Sequence, residues 1–165
     1  MAVDDAGARV VCSVTAFGER EKNHDLRYRV LKETDVVTLS SYIPYEDMII
    51  YKVHVRGYTM QKNSKVRKKG TFSGLMEKIP YWKEMGITSV ELMPAYDFEE
   101  YPKKEEKVSK YQIPEICEPK LNYWGYTKGH YFAPKTSYCA GKYPEQEVKD
   151  FISKLHESGM ECLMD

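Results

Sequence analysis

The sequence has no excess of either charge. Lys and Arg number 25 and Asp and Glu 25, so no net field draws in nucleic acid or an anionic membrane, and a neutral partner is expected. No run of about 18 apolar residues is present to cross a bilayer. The opening stretch MAVDDAGARVVCSVTAF also lacks the basic region and apolar core of an export signal. Cys12, Cys117, Cys139 and Cys162 lie far apart and form no Cys-x-x-Cys pair, which argues against a zinc site and for reduced thiols in a cytoplasmic protein. There is no glycine-rich phosphate cradle and no His, Asp and Glu cluster at metal spacing, so neither a cofactor nor a metal is expected. The one basic run, NSKVRKKG, carries no interleaved aromatics and reads as a solvated loop rather than a nucleic-acid surface.

Aromatic rings are abundant, and most carry a polar edge: Tyr occurs 14 times and Phe 5 times. That choice suits a surface handling polar, uncharged ligands. At 165 residues the chain is long enough for one domain with a sizeable core.

Residues 1–47 read as loosely structured, with short β-like runs beside the charged stretch GEREKNHDLRYR. From Met48 the pattern sharpens into MIIYKVHVRGYT, a strand closed by Gly57. TFSGLMEKIPYWKEMG then places Leu75, Ile79, Trp82 and Met85 at helical spacing, with Thr71 or Ser73 available as a cap. Pro80 inside that pattern predicts a kink or break near Ile79. ITSVELMPAYDF returns to strand character. YPEQEVKDFISKLHESG predicts a second helix with Val148, Phe151, Ile152 and Leu155 on one stripe, and MECLMD is again a strand. WKEMGITSVELM and LHESGMECLMD are two copies of one device, in which a helix ends on glycine and a buried strand begins at once. Such alternation points to parallel strands covered by helices, an α/β fold of barrel or doubly wound type.

The connection from Glu99 to Tyr143 is far longer than the 2–6 residues usual in α/β units, and long connections tend to carry function. Its first part, EEYPKKEEKVSKYQIPEICEPK, is charged and reads as a solvated excursion. The second part, LNYWGYTKGHYFAP, gathers Tyr123, Trp124, Tyr126, Tyr131 and Phe132 without the spacing of a helix or strand, so it reads as a ring-bearing loop. It follows the C-terminal end of a strand, where α/β proteins of both types place their sites.

The stretches IIYKVHVRGYT, GTFSGLMEKIPYWKEMGITSVELMPAYDF, LNYWGYTKGHYFAPKTSY and HESGMECLMD, in this order, resemble the opening of the catalytic barrel in glycoside hydrolase family 13, the α-amylase superfamily. Within it they are most similar to the glycogen-debranching, isoamylase- and pullulanase-like branch. The resemblance implies an incomplete (β/α)8 barrel, with two helices and with strands at Met48–Val55, Ser89–Pro94 and Met160–Asp165. Residues 48–165 would form this N-terminal part of the barrel, and residues 1–47 the tail of a β-sandwich-like module and linker. It also implies an α-glucan substrate, with cleavage of α-1,6 branch linkages in glycogen- or starch-like polymers. An α-1,4-acting amylase, a glucanotransferase, or a non-catalytic glucan-binding or scaffold protein are the alternatives.

In the family the catalytic carboxylates lie beyond the fourth, fifth and seventh strands, positions that this sequence does not contain, so the chain by itself is expected to be inactive. No catalytic residue is assigned. Tyr126, in NYWGY, matches a family tyrosine that stacks under glucose; Trp124, Tyr123 and Asp165 are the further candidate substrate contacts, Asp165 by matching the first residue of the family's third-strand motif. On the residues alone, each of these rings could equally be a packing anchor. Asp97, Glu99 and Glu100 read as solvated loop acids, and His130 and His156 as surface or packing residues. Glu91 inside SVELMP reads as a buried carboxylate paired with Arg56 or His54, since alternation puts Lys52, His54 and Arg56 on one strand face.

Overall fold

The structure, a computed structural model, describes residues 10–11, 16–19, 28–29, 42–101 and 120–165. Cys12, Cys117, most of the 1–47 segment and most of the charged excursion after Glu99 lie outside the described residues. The described strands are β1 (Val10–Val11), β2 (Tyr28–Arg29), β3 (Ile50–Val53), β4 (Ser89–Leu92), β5 (Tyr96–Phe98), β6 (Gly129–Pro134) and β7 (Glu161–Met164). The helices are α1 (Phe72–Met76), α2 (Ile79–Glu84) and α3 (Pro144–Glu157).

Strands β3, β4 and β7 lie side by side in that order and run parallel, so the three expected barrel strands form one sheet. The register sets Lys52 beside Glu91 and Glu91 beside Leu163. Alternation then sends Val53, Val90 and Leu92 to the opposite, helix-covered face, where each is at most 2% exposed. Phe72, Leu75, Trp82, Phe151 and Leu155, all fully buried, pack against that face. Removing the Phe151 ring from this layer would cost about 3–5 kcal/mol, a large part of a domain's stability.

Pro80 divides the first helical segment in two. A proline ring clashes with the carbonyl four residues back and brings no N–H, so the chain stops helical winding after Met76 and restarts at Ile79. Thr71 is the cap of α1, its hydroxyl accepting from the Gly74 N–H at 3.1 Å. The break turns Met85 outward: it is 48% exposed, contrary to its place on the expected apolar stripe, while Ile79 and Trp82 stay buried. Both helix-to-strand junctions have the same geometry. Gly86 and Gly159 take φ of 76° and 78°, and the next residues, Ile87 and Met160, donate back to the carbonyls of Trp82 and Leu155 at 3.1 and 3.0 Å.

Part of the ring-bearing stretch differs from the sequence reading. Residues 129–134 are not loop but strand β6, paired antiparallel with β5. The pairing shifts register between Tyr96 and Asp97, and such an irregularity erases the strict two-residue alternation that would have marked it in the sequence.

Candidate functional site

The first residues after β4, Asp97 to Glu100, are fixed from below by Lys135. Its amine lies 2.9 Å from Glu100 Oε1 and 3.7 Å from Asp97 Oδ1, and it donates to the Phe98 carbonyl at 2.8 Å. Glu100 also accepts from the Gly18 N–H at 2.7 Å and the Ser137 hydroxyl at 3.1 Å. Asp97 is therefore buried and Glu100 largely enclosed, both ion-paired to Lys135 rather than solvated acids. A cation supplied 35 or more residues downstream offsets the cost of burying them.

On this base the segment from Leu121 to Lys128 carries its rings in two groups. Tyr126 is 56% exposed, and its hydroxyl donates to Asp165 Oδ2 at 2.5 Å. Asp165 directly follows β7, and the same oxygen accepts from Lys52 Nζ on β3. Lys52 in turn bridges to Glu91 Oε1 on β4 at 2.8 Å. One side chain from each parallel strand or its end thus meets beneath the Tyr126 ring, with the Lys52 amine 5.9 Å from the ring centroid. Glu91 is paired with Lys52, not with Arg56 or His54, and its side chain keeps 25% of its exposure. The strand ends at Val53 and the chain turns at once, so alternation does not extend to His54 and Arg56, whereas parallel register sets Lys52 opposite Glu91.

The charges in this group support one another. Bonds to Asp165 and then Glu91 raise the Lys52 amine above its ordinary value; bonds from Lys52 and then Tyr126 hold the Asp165 carboxyl below the usual range. Its bond to Asp165 pushes the Tyr126 phenol up. At neutral pH the amine is charged, the carboxylate ionised and the phenol neutral. None is poised to exchange a proton near pH 7, so the group is suited to orienting a ring and offering polar atoms beside it, not to acid–base chemistry.

The second group centres on His54. Tyr123 stacks on its imidazole with centroids 4.5 Å apart and planes 10° from parallel, and is half-buried. Trp124, 53% exposed, stands edge-on to Tyr123 at 5.2 Å and to His54 at 5.7 Å. Phe17 closes the far side, edge-on to Tyr123 at 5.9 Å. The structure therefore brings Tyr126 and Asp165 into direct contact, while Tyr123 and Trp124 belong to a neighbouring aromatic cluster. Tyr131 is 61% exposed and lies edge-on to Tyr96 at 4.7 Å. Lys52 and His54 are the site residues that sequence reasoning missed. The only signal was the expected alternation in MIIYKVHVRGYT, which holds for Lys52 but not for His54 beyond the strand end, and which does not say which loop each would meet. Among the described residues, no group of three or more His, Cys, Asp or Glu side chains could hold a metal ion, and no helix is long and apolar enough to cross a membrane.

No family model matches the chain. Curated proteins and solved structures do. Chloroplastic isoamylase 1 of Oryza sativa subsp. japonica is 35% identical over 128 residues, covering 74% of this chain and 15% of the rice protein. Pullulanase of Bacillus subtilis strain 168 is 31% identical over 134 residues, 72% of this chain and 17% of that protein. The crystal structure of pullulanase from Anoxybacillus sp. LM18-11 complexed with maltotriose superposes with a TM-score of 0.69 at 28% identity, over 99% of this chain and 23% of the other. The chain thus spans less than a fifth of the length of the curated relatives it matches. By these relationships it belongs to the debranching, isoamylase- and pullulanase-like branch of glycoside hydrolase family 13.

Proposed function

We propose that these residues form the glucan-binding floor of an α-glucan hydrolase that cleaves α-1,6 branch linkages in glycogen- or starch-like polymers. Strands β3, β4 and β7 are then the first three of a (β/α)8 barrel over residues 48–165, with residues 1–47 as the tail of a preceding β-sandwich-like module and linker. The observation that carries the reading is Tyr126, held half-exposed at the C-terminal end of the parallel sheet by Asp165. A pyranose ring presents axial C–H groups on one face, which pack flat on an aromatic ring while its hydroxyls keep their hydrogen bonds. Trp124 and Tyr123 extend the aromatic surface, and the Asp165 carboxylate offers an acceptor to sugar hydroxyls. Relatives named isoamylase and pullulanase support debranching, and the maltotriose held by the Anoxybacillus pullulanase supports the ligand class.

The same reading makes this chain by itself a binder and not a catalyst. Retaining glycoside hydrolysis needs an attacking and a protonating carboxyl about 5–5.5 Å apart, and Asp165 and Glu91 are both committed to Lys52. A reducing, cytoplasmic setting suits Cys139 and Cys162, thiols that stand outside any disulfide. Calorimetric titration of the 165-residue chain with maltohexaose tests the proposal. Binding that weakens about tenfold or more in Tyr126→Ala, as expected for loss of a stacking ring, supports it. No binding by the unmodified chain, or equal binding by the variant, would refute it. Hydrolysis of pullulan by the chain alone would refute its catalytic silence.

A further inference from the structure

His54 sits beneath the ring-bearing loop and is only 6% exposed. Its two nitrogens face partners of opposite kind. Nδ1 lies 2.9 Å from the Gly57 backbone nitrogen, a group that can only donate, so Nδ1 carries a lone pair. Nε2 lies 2.8 Å from the Tyr123 carbonyl oxygen, which can only accept, so Nε2 carries the hydrogen. The surroundings therefore fix one tautomer of the neutral ring. A second proton on Nδ1 would set two donors face to face across the Gly57 contact.

The ring also fixes the loop by shape. Tyr123 lies flat on one face of the imidazole and Trp124 stands against its edge, so two consecutive loop residues take their orientation from one side chain. Gly57 completes the fit, since a Cβ there would stand 2.6 Å from the Tyr123 hydroxyl and 3.5 Å from His54 Nδ1. Only a residue without a side chain lets the turn after β3 approach both at once.

We propose that His54 is the positioning residue of the glucan floor, a neutral pin that joins the turn after β3 to the Tyr123–Trp124 backbone and so sets where the exposed rings stand. The proposal rests on the glucan-binding reading for its purpose, but not for its geometry. A consequence is that acid loosens the floor. The groups facing His54 are the cation of Arg56 on its own segment, the phenols of Tyr123 and Tyr138 (the latter's hydroxyl 3.3 Å from Nε2), and Glu100 beyond Tyr138. Burial and the Arg56 cation both disfavour a charged ring, so the pin stays neutral through pH 7 and charges only below the ordinary histidine range.

The test uses the full 165-residue chain labelled with nitrogen-15 and 5-fluorotryptophan, which separates Trp124 from the buried Trp82. The expected result is an Nε2–H tautomer for His54 at pH 8, and a Trp124 fluorine signal that moves as His54 titrates while the Trp82 signal holds. His54→Gln can both donate and accept, so it should keep the Trp124 signal near its normal position and abolish its pH response. His54→Phe preserves the stacked ring without either nitrogen and should displace Trp124 at every pH. An Nδ1–H tautomer, or a Trp124 signal indifferent both to His54 titration and to His54→Phe, would overturn the proposal. If His54→Phe also shifts Trp82, its fold is disturbed, and the tautomer and the titration of the unmodified chain decide. Maltohexaose affinity should fall severalfold across the pH range in which the His54 ring signals show it to titrate, and stay level over that range in His54→Gln. Absence of any maltohexaose binding would count against the glucan reading alone, because the tautomer and the Trp124 signal report on the pin without ligand.

Discussion

Replacing Lys135 by Met removes the cation that anchors the start of the connection after β4, from Asp97 to Glu100. The side chain is 7% exposed, and its amine serves Glu100, Asp97 and the Phe98 carbonyl while lying 4.5 Å from the Phe98 ring centroid. Methionine fills the same volume, so the loss is electrostatic rather than a cavity. Breaking one partner out of a buried ion pair costs about 3–5 kcal/mol, because the remaining charge is left uncompensated. Glu100 retains its bonds from Gly18 and Ser137, which places the expected cost near the lower end, about 3 kcal/mol. For a chain of this size that is a fall in Tm of about 6–12 °C. The control is Lys154→Ala, whose pair with Glu157 is 58% and 64% exposed and is worth about 0.5 kcal/mol or less. Urea unfolding followed by circular dichroism compares the two. If Lys135→Met costs no more than Lys154→Ala, the buried cluster does not hold the loop and the reasoning fails.

Three further outcomes are expected. Gly57→Ala forces a methyl group to 2.6 Å from the Tyr123 hydroxyl, so it should cost about 1–3 kcal/mol in urea unfolding and shift Trp124 emission; an unchanged spectrum would mean that Tyr123 is not where the fold puts it. Thr71→Ala deletes the cap of α1 and should cost about 1 kcal/mol, while Thr71→Ser should restore most of it. Stability should also depend on pH through His54. Its folded-state pKa is lowered from 6.5 by burial, so the unfolded chain takes up the proton first as pH falls. That contribution is complete above pH 6.5 and declines below it towards the folded-state value, and urea midpoints at pH 7.5 and 5 should differ less for His54→Gln than for the unmodified chain.

Most of the parallel sheet and its helices was legible in the sequence because each signal was local. The stripe of Phe151 and Leu155, the glycine stops at 86 and 159, and the break at Pro80 all act within a few residues of where they are written. The misreadings arose where a partner lies far along the chain. Strand β6 pairs with β5 across about 30 residues and a register shift, so neither strand shows clean alternation. Asp97 and Glu100 read as solvated loop acids because the cation that pairs them, Lys135, lies 35 or more residues downstream. Glu91 pairs with Lys52 rather than with Arg56 or His54, because β3 ends at Val53, a boundary that MIIYKVHVRGYT does not mark. At the site, Tyr126 and Asp165 could be named one by one, but their direct bond and the Lys52 bridge are products of strand order.

A crystal structure of the 165-residue chain grown with maltotriose would examine the proposed floor most directly. A glucose ring lying flat on Tyr126 with a hydroxyl bonded to Asp165 is the predicted outcome. Maltotriose bound elsewhere, with Tyr126 bare and its hydroxyl still on Asp165, would contradict the account.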